Sequence, residues 1–157
     1  MRLADRVAVV TGGAVGIGEA ICRRFAAEGA TPVIWDLDGD GAARLGGELG
    51  GSGTACDVSS RASVEAALAT TLERHGRVDV LVNNAGVALA GPSETFSDDE
   101  WDRSIAIMQT GVFLCSQVVG RHMLARRSGS IVNISSINAW EAFPMRLAYC
   151  AAKAAVV

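Results

Sequence analysis

Lysine and tyrosine are almost absent from this sequence: each occurs once in 157 residues, while arginine is spread along the whole chain. There is no basic cluster and the net charge is −3, so we expect no nucleic-acid partner. The longest apolar runs are no longer than a strand, which predicts no membrane-spanning segment. The start, MRLADRVAVV, has an acidic residue before a short apolar run and no small-residue cleavage site, so we expect no signal peptide.

Cysteines are few and have no paired spacing. Cys22, Cys56, Cys115 and Cys150 form no CxxC motif and have no histidine nearby. This pattern is typical of small, buried thiols and argues against a zinc site or a disulfide framework. We therefore predict reduced cysteines in a cytoplasmic protein that holds no metal.

Strand-like and helix-like segments alternate along the chain. Short apolar runs rich in β-branched residues occupy 6–10, 31–36, 53–58, 78–84 and 129–135. Helix-like stretches lie between them, at 17–28, 40–49, 60–75 and 98–127, and Ser97 with Glu100 forms a capping box before the last one. This order predicts an α/β fold with a doubly wound parallel sheet of the Rossmann type, as a single domain over 1–157.

A glycine-rich turn, TGGAVGIG, joins the first strand to the first helix. Gly12, Gly16 and Gly18 would allow a tight turn and the close approach of a diphosphate to the helix N-terminus. An ordinary strand-to-helix turn is the alternative. Asp36 ends the next strand and is placed to accept hydrogen bonds from ribose hydroxyls, unless it is simply a solvated aspartate. Since no cation stands nearby in sequence to hold a 2′-phosphate, we predict NAD, with NADP less favoured.

The single tyrosine and the single lysine, Tyr149 and Lys153, are one helical turn apart and so share a helix face. A free phenol has a pKa near 10, and lowering it by roughly 3 units requires about 4 kcal/mol. One ammonium about 4 Å away supplies about that much at an effective dielectric of 20. The pair is therefore suited to acid–base chemistry, and a surface lysine beside a core tyrosine is the alternative.

Five motifs follow one another along the whole chain: TGGAVGIG, CDV, NNAG, NISS and YCAAK. In the residues of these motifs, their order and their separations, the sequence resembles the short-chain dehydrogenase/reductase family. The resemblance implies an NAD-dependent enzyme that transfers a hydride between nicotinamide and a secondary alcohol or ketone. It implies three catalytic residues: Ser136, Tyr149 and Lys153. The residues that it implies for cofactor binding are Gly12, Gly16, Ile17, Gly18, Asp36, Asp57, Val58, Asn84, Ala85, Gly86, Tyr149 and Lys153. It also implies a homo-oligomer for the full-length form.

Two departures from the family pattern stand out. Met108 occupies the position where the family usually has an asparagine that stabilises a helix kink, so we expect lowered turnover. Family members also continue beyond the YxxxK motif, so we expect a fragment whose sheet is incomplete at its C-terminal side. The alternative function is accordingly a non-catalytic or inactive nucleotide-binding fragment of such an enzyme.

The sequence gives little indication of which alcohol or ketone is the substrate. The loops 87–96 and 137–148 should shape the pocket. Trp140, Phe143 and Met145 offer an apolar wall, although we favour the simpler interpretation that Trp140 and Phe143 pack the loop. Asn138 and Glu141 are candidates to meet a second substrate hydroxyl.

Overall fold

The computed structural model describes all 157 residues and contains one five-stranded sheet flanked by helices. The strands are β1 (Val7–Thr11), β2 (Thr31–Asp36), β3 (Ser52–Ala55), β4 (Val80–Asn83) and β5 (Ser130–Asn133). The helices are α1 (Gly16–Ala27), α2 (Gly39–Glu48), α3 (Arg61–His75), α4 (Asp98–Ile105), α5 (Gly111–Ala125) and α6 (Leu147–Ala154). Single turns of other helix types lie at Ser93–Thr95, Ala106–Thr110 and Ile137–Ala139.

All strand pairs are parallel, and the order across the sheet is β3-β2-β1-β4-β5. The chain first moves outward from β1 to β3 and then returns to the other side of β1, so the order reverses between β1 and β4. A crevice opens at the carboxyl ends of the strands where such a reversal occurs. The predicted α/β fold with a parallel Rossmann-like sheet is confirmed.

The core surrounds the central strands because their apolar side chains are covered on both faces. All five residues of β1 are buried, and Trp35 in β2 is fully buried, with its indole N–H donating to Thr71 Oγ1 at 3.1 Å. The edge strand β5 differs, since all four of its residues are exposed. The sheet is thus well packed from β2 to β4 and open along β5.

The helix predicted over 98–127 is divided by a π-helical turn. The capping box predicted at its start is present, with the Ser97 hydroxyl accepting from the Glu100 N–H and the Glu100 carboxylate accepting from the Ser97 N–H. At the π turn, Gly111 N–H bonds to the carbonyl of Ala106, five residues back. Such turns are frequent at functional sites, and this one is centred on Met108.

A buried carboxylate lies at the amino ends of the strands, away from the crevice. Asp79 accepts hydrogen bonds from Val7 N–H at 2.9 Å, Arg77 Nε at 2.9 Å and Arg126 Nη2 at 3.2 Å. Burial alone would raise the pKa of Asp79, but the backbone donor and the two guanidinium groups outweigh it and lower the pKa below 3.8. This group therefore ties β1, β4 and α5 together.

None of the four cysteines is paired with another, and only Cys150 is not fully buried. Burial raises the pKa of Cys22 and of Cys115 to about 12, so these thiols are unreactive. No group of three or more histidine, cysteine and acidic side chains is placed to hold a metal ion. No helix has both the length and the apolar character needed to cross a membrane.

Candidate active site

The glycine turn is tightly closed against the end of β4. Gly12 and Gly16 both have left-handed φ values, 61° and 60°, which a side chain would disfavour. A Cβ at Gly12 would lie 2.9 Å from Ala85 Cα, and one at Gly18 would lie 2.1 Å from the carbonyl oxygen of Gly12. Helix α1 begins without a side-chain cap, so no side chain competes for its first N–H groups. These features fit the diphosphate of a dinucleotide.

Asp36 reaches the glycine turn from the end of β2. One carboxylate oxygen accepts from Ala14 N–H at 3.0 Å and the other from Asp38 N–H at 3.1 Å. Since a carboxylate has about four acceptor positions, capacity for ribose hydroxyls remains. Asp36 therefore holds the turn in place, which the sequence did not indicate.

Asn84 fastens the opposite wall of the crevice. Its amide nitrogen donates to the carbonyl oxygens of Thr11 and Gly12, both at 3.0 Å. The Thr11 hydroxyl accepts in turn from the N–H groups of Asn84 and Ala85. The NNAG segment is thereby locked to the end of β1, and this leaves the backbone at Gly86 free to line the crevice.

Asp57 and Val58 follow β3 and complete the wall on the adenine side of the predicted site. Ser59 donates to one oxygen of Asp57 from its N–H at 2.9 Å and from its hydroxyl at 2.6 Å. One cavity of about 90 Å³ is lined by Gly12, Asp36, Leu37, Cys56, Asp57, Val58, Ala85, Gly86, Val87 and Ile107. Six of the residues predicted for cofactor binding thus surround a single space.

Tyr149 and Lys153 lie on α6, which packs across the end of β5. Lys153 is 6% exposed, its Nζ donates to the carbonyl oxygen of Ile134 at 2.6 Å, and it lies 5.8 Å from the centre of the Tyr149 ring. Burial lowers the pKa of Lys153. A buried ammonium with one hydrogen-bond partner keeps two N–H donors for other groups.

Ser136 lies between β5 and α6, at the start of the Ile137–Ala139 turn. Its hydroxyl oxygen accepts from Asn138 N–H at 3.2 Å. The preceding residue, Ser135, donates its hydroxyl to the carbonyl oxygen of Lys153 at 3.0 Å and so anchors α6 to the end of β5. Sequence reasoning assigned no role to Ser135, although the paired serines of NISS were the available signal.

Met108 faces the same region from the π turn. It is 1% exposed, and a Cβ at Gly86 would lie 3.7 Å from its Sδ. An apolar side chain therefore fills the space beside the NNAG segment where the family pattern places an amide. The π turn is present without that amide.

The loop before α6 differs from the prediction. Trp140 is 77% exposed and Phe143 is 45% exposed, so the interpretation that both pack the loop is wrong. The two loops do touch, since Gly91 N–H donates to the carbonyl oxygen of Met145 at 3.2 Å. Met145 itself has a left-handed φ of 65°, which is unfavourable for its side chain.

A groove with a larger volume, about 710 Å³, lies away from the glycine turn and from Tyr149. It runs along α5 and the exposed edge of β5, and Arg127 is its only titratable side chain. Neither the glycine turn nor Tyr149 lines it. The smaller space is the candidate site because six of the residues predicted for cofactor binding line it at the crevice.

The parallel sheet, the closed glycine turn and the carboxylate at the end of β2 together define a Rossmann-like fold of the dinucleotide-binding type. A family model described as short chain dehydrogenase matches residues 6–157, and the chain belongs to that family, whose members bind a nicotinamide cofactor.

The chain is 45% identical over 161 residues to D-threitol dehydrogenase of Mycolicibacterium smegmatis, covering 99% of this chain and 62% of that protein. It is 35% identical to the NAD-dependent glycerol dehydrogenase of Listeria innocua, with coverage of 99% and 62%. The crystal structure of 3-ketoacyl-(acyl-carrier-protein) reductase from Brucella melitensis in complex with NADH superposes with a TM-score of 0.90 at 36% identity, over 97% of this chain and 66% of that one. The chain thus spans about 62% of the length of the two curated relatives.

Proposed function

We propose that this protein is an NAD-dependent oxidoreductase that interconverts a secondary alcohol and the corresponding ketone, with Tyr149 as the acid or base. The observation that carries the proposal is the arrangement of Ser136, Tyr149 and Lys153 around the end of β5. Lys153 is buried and lies 5.8 Å from the Tyr149 ring, and the Ser136 hydroxyl lies on the turn that packs against the same helix.

The side chains have distinct tasks in this proposal. Bound NAD supplies the two-electron acceptor. The Tyr149 phenolate takes the hydroxyl proton of the alcohol, and the nearby ammonium of Lys153 lowers the free energy of that phenolate. The Ser136 hydroxyl donates to the substrate oxygen and holds it beside the phenol. In the reverse direction, the phenol of Tyr149 returns the proton to the ketone oxygen.

Three features support NAD rather than NADP. The carboxylate of Asp36 would repel a 2′-phosphate. The neighbouring residues of the turn, Ala14 and Val15, carry no positive charge. Two relatives are named as NAD-dependent enzymes, the glycerol dehydrogenase and a 2-dehydro-3-deoxy-L-rhamnonate dehydrogenase of Sphingomonas.

Small polyols are the substrate class that we propose first. The relatives named D-threitol dehydrogenase and glycerol dehydrogenase both act, by their names, on short chains with adjacent hydroxyl groups. An exposed polar side chain, Glu141, lies in the loop between Ser136 and Tyr149, where it can meet a second hydroxyl. We also propose that the protein acts in the cytoplasm and as a homo-oligomer.

The experiment follows NADH absorbance with D-threitol, glycerol and simple secondary alcohols, using NAD and NADP in parallel. We expect turnover with NAD and a polyol, and a fall in kcat of about 10²–10⁴-fold in Tyr149→Phe, the range typical of lost acid–base catalysis. Saturation-transfer NMR should show that this variant still binds NAD.

Two results would contradict the proposal. Equal kcat values for the wild type and Tyr149→Phe would show that Tyr149 is not the acid or base of the reaction. NAD binding with no turnover on any alcohol or ketone would instead favour the nucleotide-binding fragment without catalytic activity.

A further inference from the structure

The amide of Asn138 connects Ser136 to the helix that carries Tyr149. The Ser136 hydroxyl lies 3.5 Å from Asn138 Oδ1, while Asn138 Nδ2 donates to Cys150 Sγ at 3.7 Å. Cys150 is the residue that follows Tyr149 on α6. One side chain therefore spans the space between the serine and the catalytic helix.

The backbone of Asn138 acts on the same serine. Its N–H donates to Ser136 Oγ at 3.2 Å. A hydroxyl has one O–H donor and two acceptor positions, so this bond occupies one acceptor and limits how the hydroxyl can rotate. The remaining donor points to Asn138 Oδ1 over 3.5 Å, which is beyond the usual range for O–H···O bonds and therefore weak.

A weak bond of this kind is easily exchanged. A substrate oxygen about 2.8 Å from Ser136 would form a much better hydrogen bond than Asn138 Oδ1 does. The hydroxyl hydrogen then turns to the substrate while the backbone N–H of Asn138 keeps the serine oxygen in place. The bond from Nδ2 to Cys150 holds the amide against α6 in both states.

We propose that Asn138 is a positioning residue that sets the placement and direction of the Ser136 hydroxyl relative to Tyr149, through a bridge to Cys150. This inference rests on the proposed function, because that function gives Ser136 its role toward the substrate. It replaces the sequence-based expectation that Asn138 meets a second substrate hydroxyl.

The first test is a double-mutant cycle on kcat with the variants Asn138→Ala, Cys150→Ala and both together. Displacing a catalytic group by even a fraction of an ångström is costly, so we expect kcat to fall about 10-fold in Asn138→Ala, with the Kd for NAD unchanged. Cys150→Ala should lower kcat less, because N–H···S bonds are weak. The double variant should be no slower than Asn138→Ala, since both changes break one bridge.

A matched control is Gln117→Ala, which removes an amide from α5 without breaking a side-chain hydrogen bond. Its kcat should equal that of the wild type. Strictly additive losses in the cycle, or an unchanged kcat in Asn138→Ala, would overturn the proposal.

The second test needs no turnover. Hydrogen exchange of the Asn138 backbone N–H, followed by NMR, should be at least about ten-fold faster in Ser136→Ala, which lacks the acceptor, than in the wild type. Equal exchange rates would overturn the proposal whatever the activity. If exchange is slow in the wild type and faster in Ser136→Ala but no NADH forms with any alcohol, the proposed oxidoreductase function fails, while the bond that places Ser136 against Asn138 stands.

Discussion

The crevice has two sides that are built in different ways. The side proposed to bind the cofactor, called the cofactor side, consists of the ends of β1, β2 and β4, whose apolar residues are mostly buried and whose loops are tied by Asp36, Asn84 and Thr11. The side proposed for catalysis, called the catalytic side, consists of the end of β5, the turn at Ile137–Ala139 and α6. Its strand is exposed over all four residues.

Few hydrogen bonds hold the catalytic side together. Ser135 bonds to the carbonyl of Lys153, the Lys153 ammonium bonds to Ile134, and Asn138 reaches Cys150. Local stability follows burial and the number of such ties. We therefore expect NAD binding to be robust and the placement of Ser136, Tyr149 and Lys153 to be sensitive to single substitutions.

The largest effect is expected on the cofactor side from Gly18→Ala. The new methyl group would lie 2.1 Å from the Gly12 carbonyl oxygen and 2.7 Å from Asn84 Nδ2, so the turn must open. Forced packing of this kind costs about 1–3 kcal/mol, and we expect NAD affinity to fall by up to about 100-fold. Isothermal titration with NAD measures the affinity, and chemical denaturation measures the stability.

Gly47→Ala is the control for this substitution. Gly47 is helical, and a Cβ there would meet nothing within 4 Å. Replacing a helical glycine by alanine should stabilise the protein by about 0.5–1 kcal/mol and leave NAD affinity unchanged. Equal NAD affinity in Gly18→Ala and Gly47→Ala would show that the closed turn is not needed for binding.

The second-largest effect is expected at the amino ends of β1 and β4, on the edge of the sheet opposite the crevice. Asp79→Asn removes the charge that accepts from Val7, Arg77 and Arg126, and we expect the free energy of unfolding at pH 7 to fall by about 2 kcal/mol. The folded state lowers the pKa of Asp79, so its contribution is fully present above the ordinary value of 3.8 and is lost as the pH falls through the lower folded pKa.

Urea denaturation at a series of pH values checks this prediction. The difference between the wild type and Asp79→Asn should be constant near neutral pH and should shrink below about pH 3.8. Asp102→Asn, a change at an exposed acid of α4, should leave stability within about 0.5 kcal/mol of the wild type. A difference that does not depend on pH would contradict the charge-based explanation.

A smaller effect is expected from placing an amide in the π turn with Met108→Asn. Met108 is buried beside Gly86 in the π turn, where the family pattern has an asparagine. We expect kcat to rise several-fold, while the buried amide lowers stability by about 1–3 kcal/mol. Steady-state kinetics and thermal unfolding measure the two effects.

Met123→Asn separates the two effects of that change. Met123 is also buried, at 6% exposure, but it lies in α5 far from the crevice. The Met123→Asn variant should be less stable than the wild type and should show no increase in kcat. No change or a fall in kcat for Met108→Asn would mean that the methionine does not limit turnover.

The smallest effect is expected from Met145→Gly in the loop before α6. Met145 has a φ of 65° and is 47% exposed, so glycine would relieve strain while losing little buried surface. We expect the protein to be more stable by at most about 1 kcal/mol, as measured by thermal unfolding. Met145→Ala, which keeps the strain, should not be more stable than the wild type; if both variants behave alike, the strain is absent.

The residues predicted for cofactor binding come together in the structure because most of them lie at the ends of strands. Gly12, Asp36, Asp57 and Gly86 each lie at or near the carboxyl end of a predicted strand, and parallel strands bring such positions to one edge. The bounds of β1, β2 and the first three helices agree with the predicted segments to within one residue, whereas β3, β4 and β5 are shorter than predicted.

The catalytic side was only partly predictable. The spacing of Tyr149 and Lys153 places them on one helix face, but nothing local indicates that Lys153 bonds to Ile134 or that Ser135 bonds to Lys153. These contacts join segments that are 18 and 19 residues apart through a loop of irregular structure. The same holds for the exposed positions of Trp140 and Phe143, because hydrophobicity alone does not say which side of a loop a side chain takes.

The sequence by itself determined the α/β order of elements, the glycine turn and the helical spacing of the tyrosine–lysine pair, because these depend on residues close together in the chain. The tertiary structure alone decided that Asp36 closes the turn, that Asp79 joins three elements and that Asn138 faces Ser136. Each of those contacts depends on where a loop or a distant strand lies after the sheet has formed. Features that depend on neighbouring residues can be predicted from a sequence. The directions of side chains across a crevice are fixed only when the whole sheet and its helices pack.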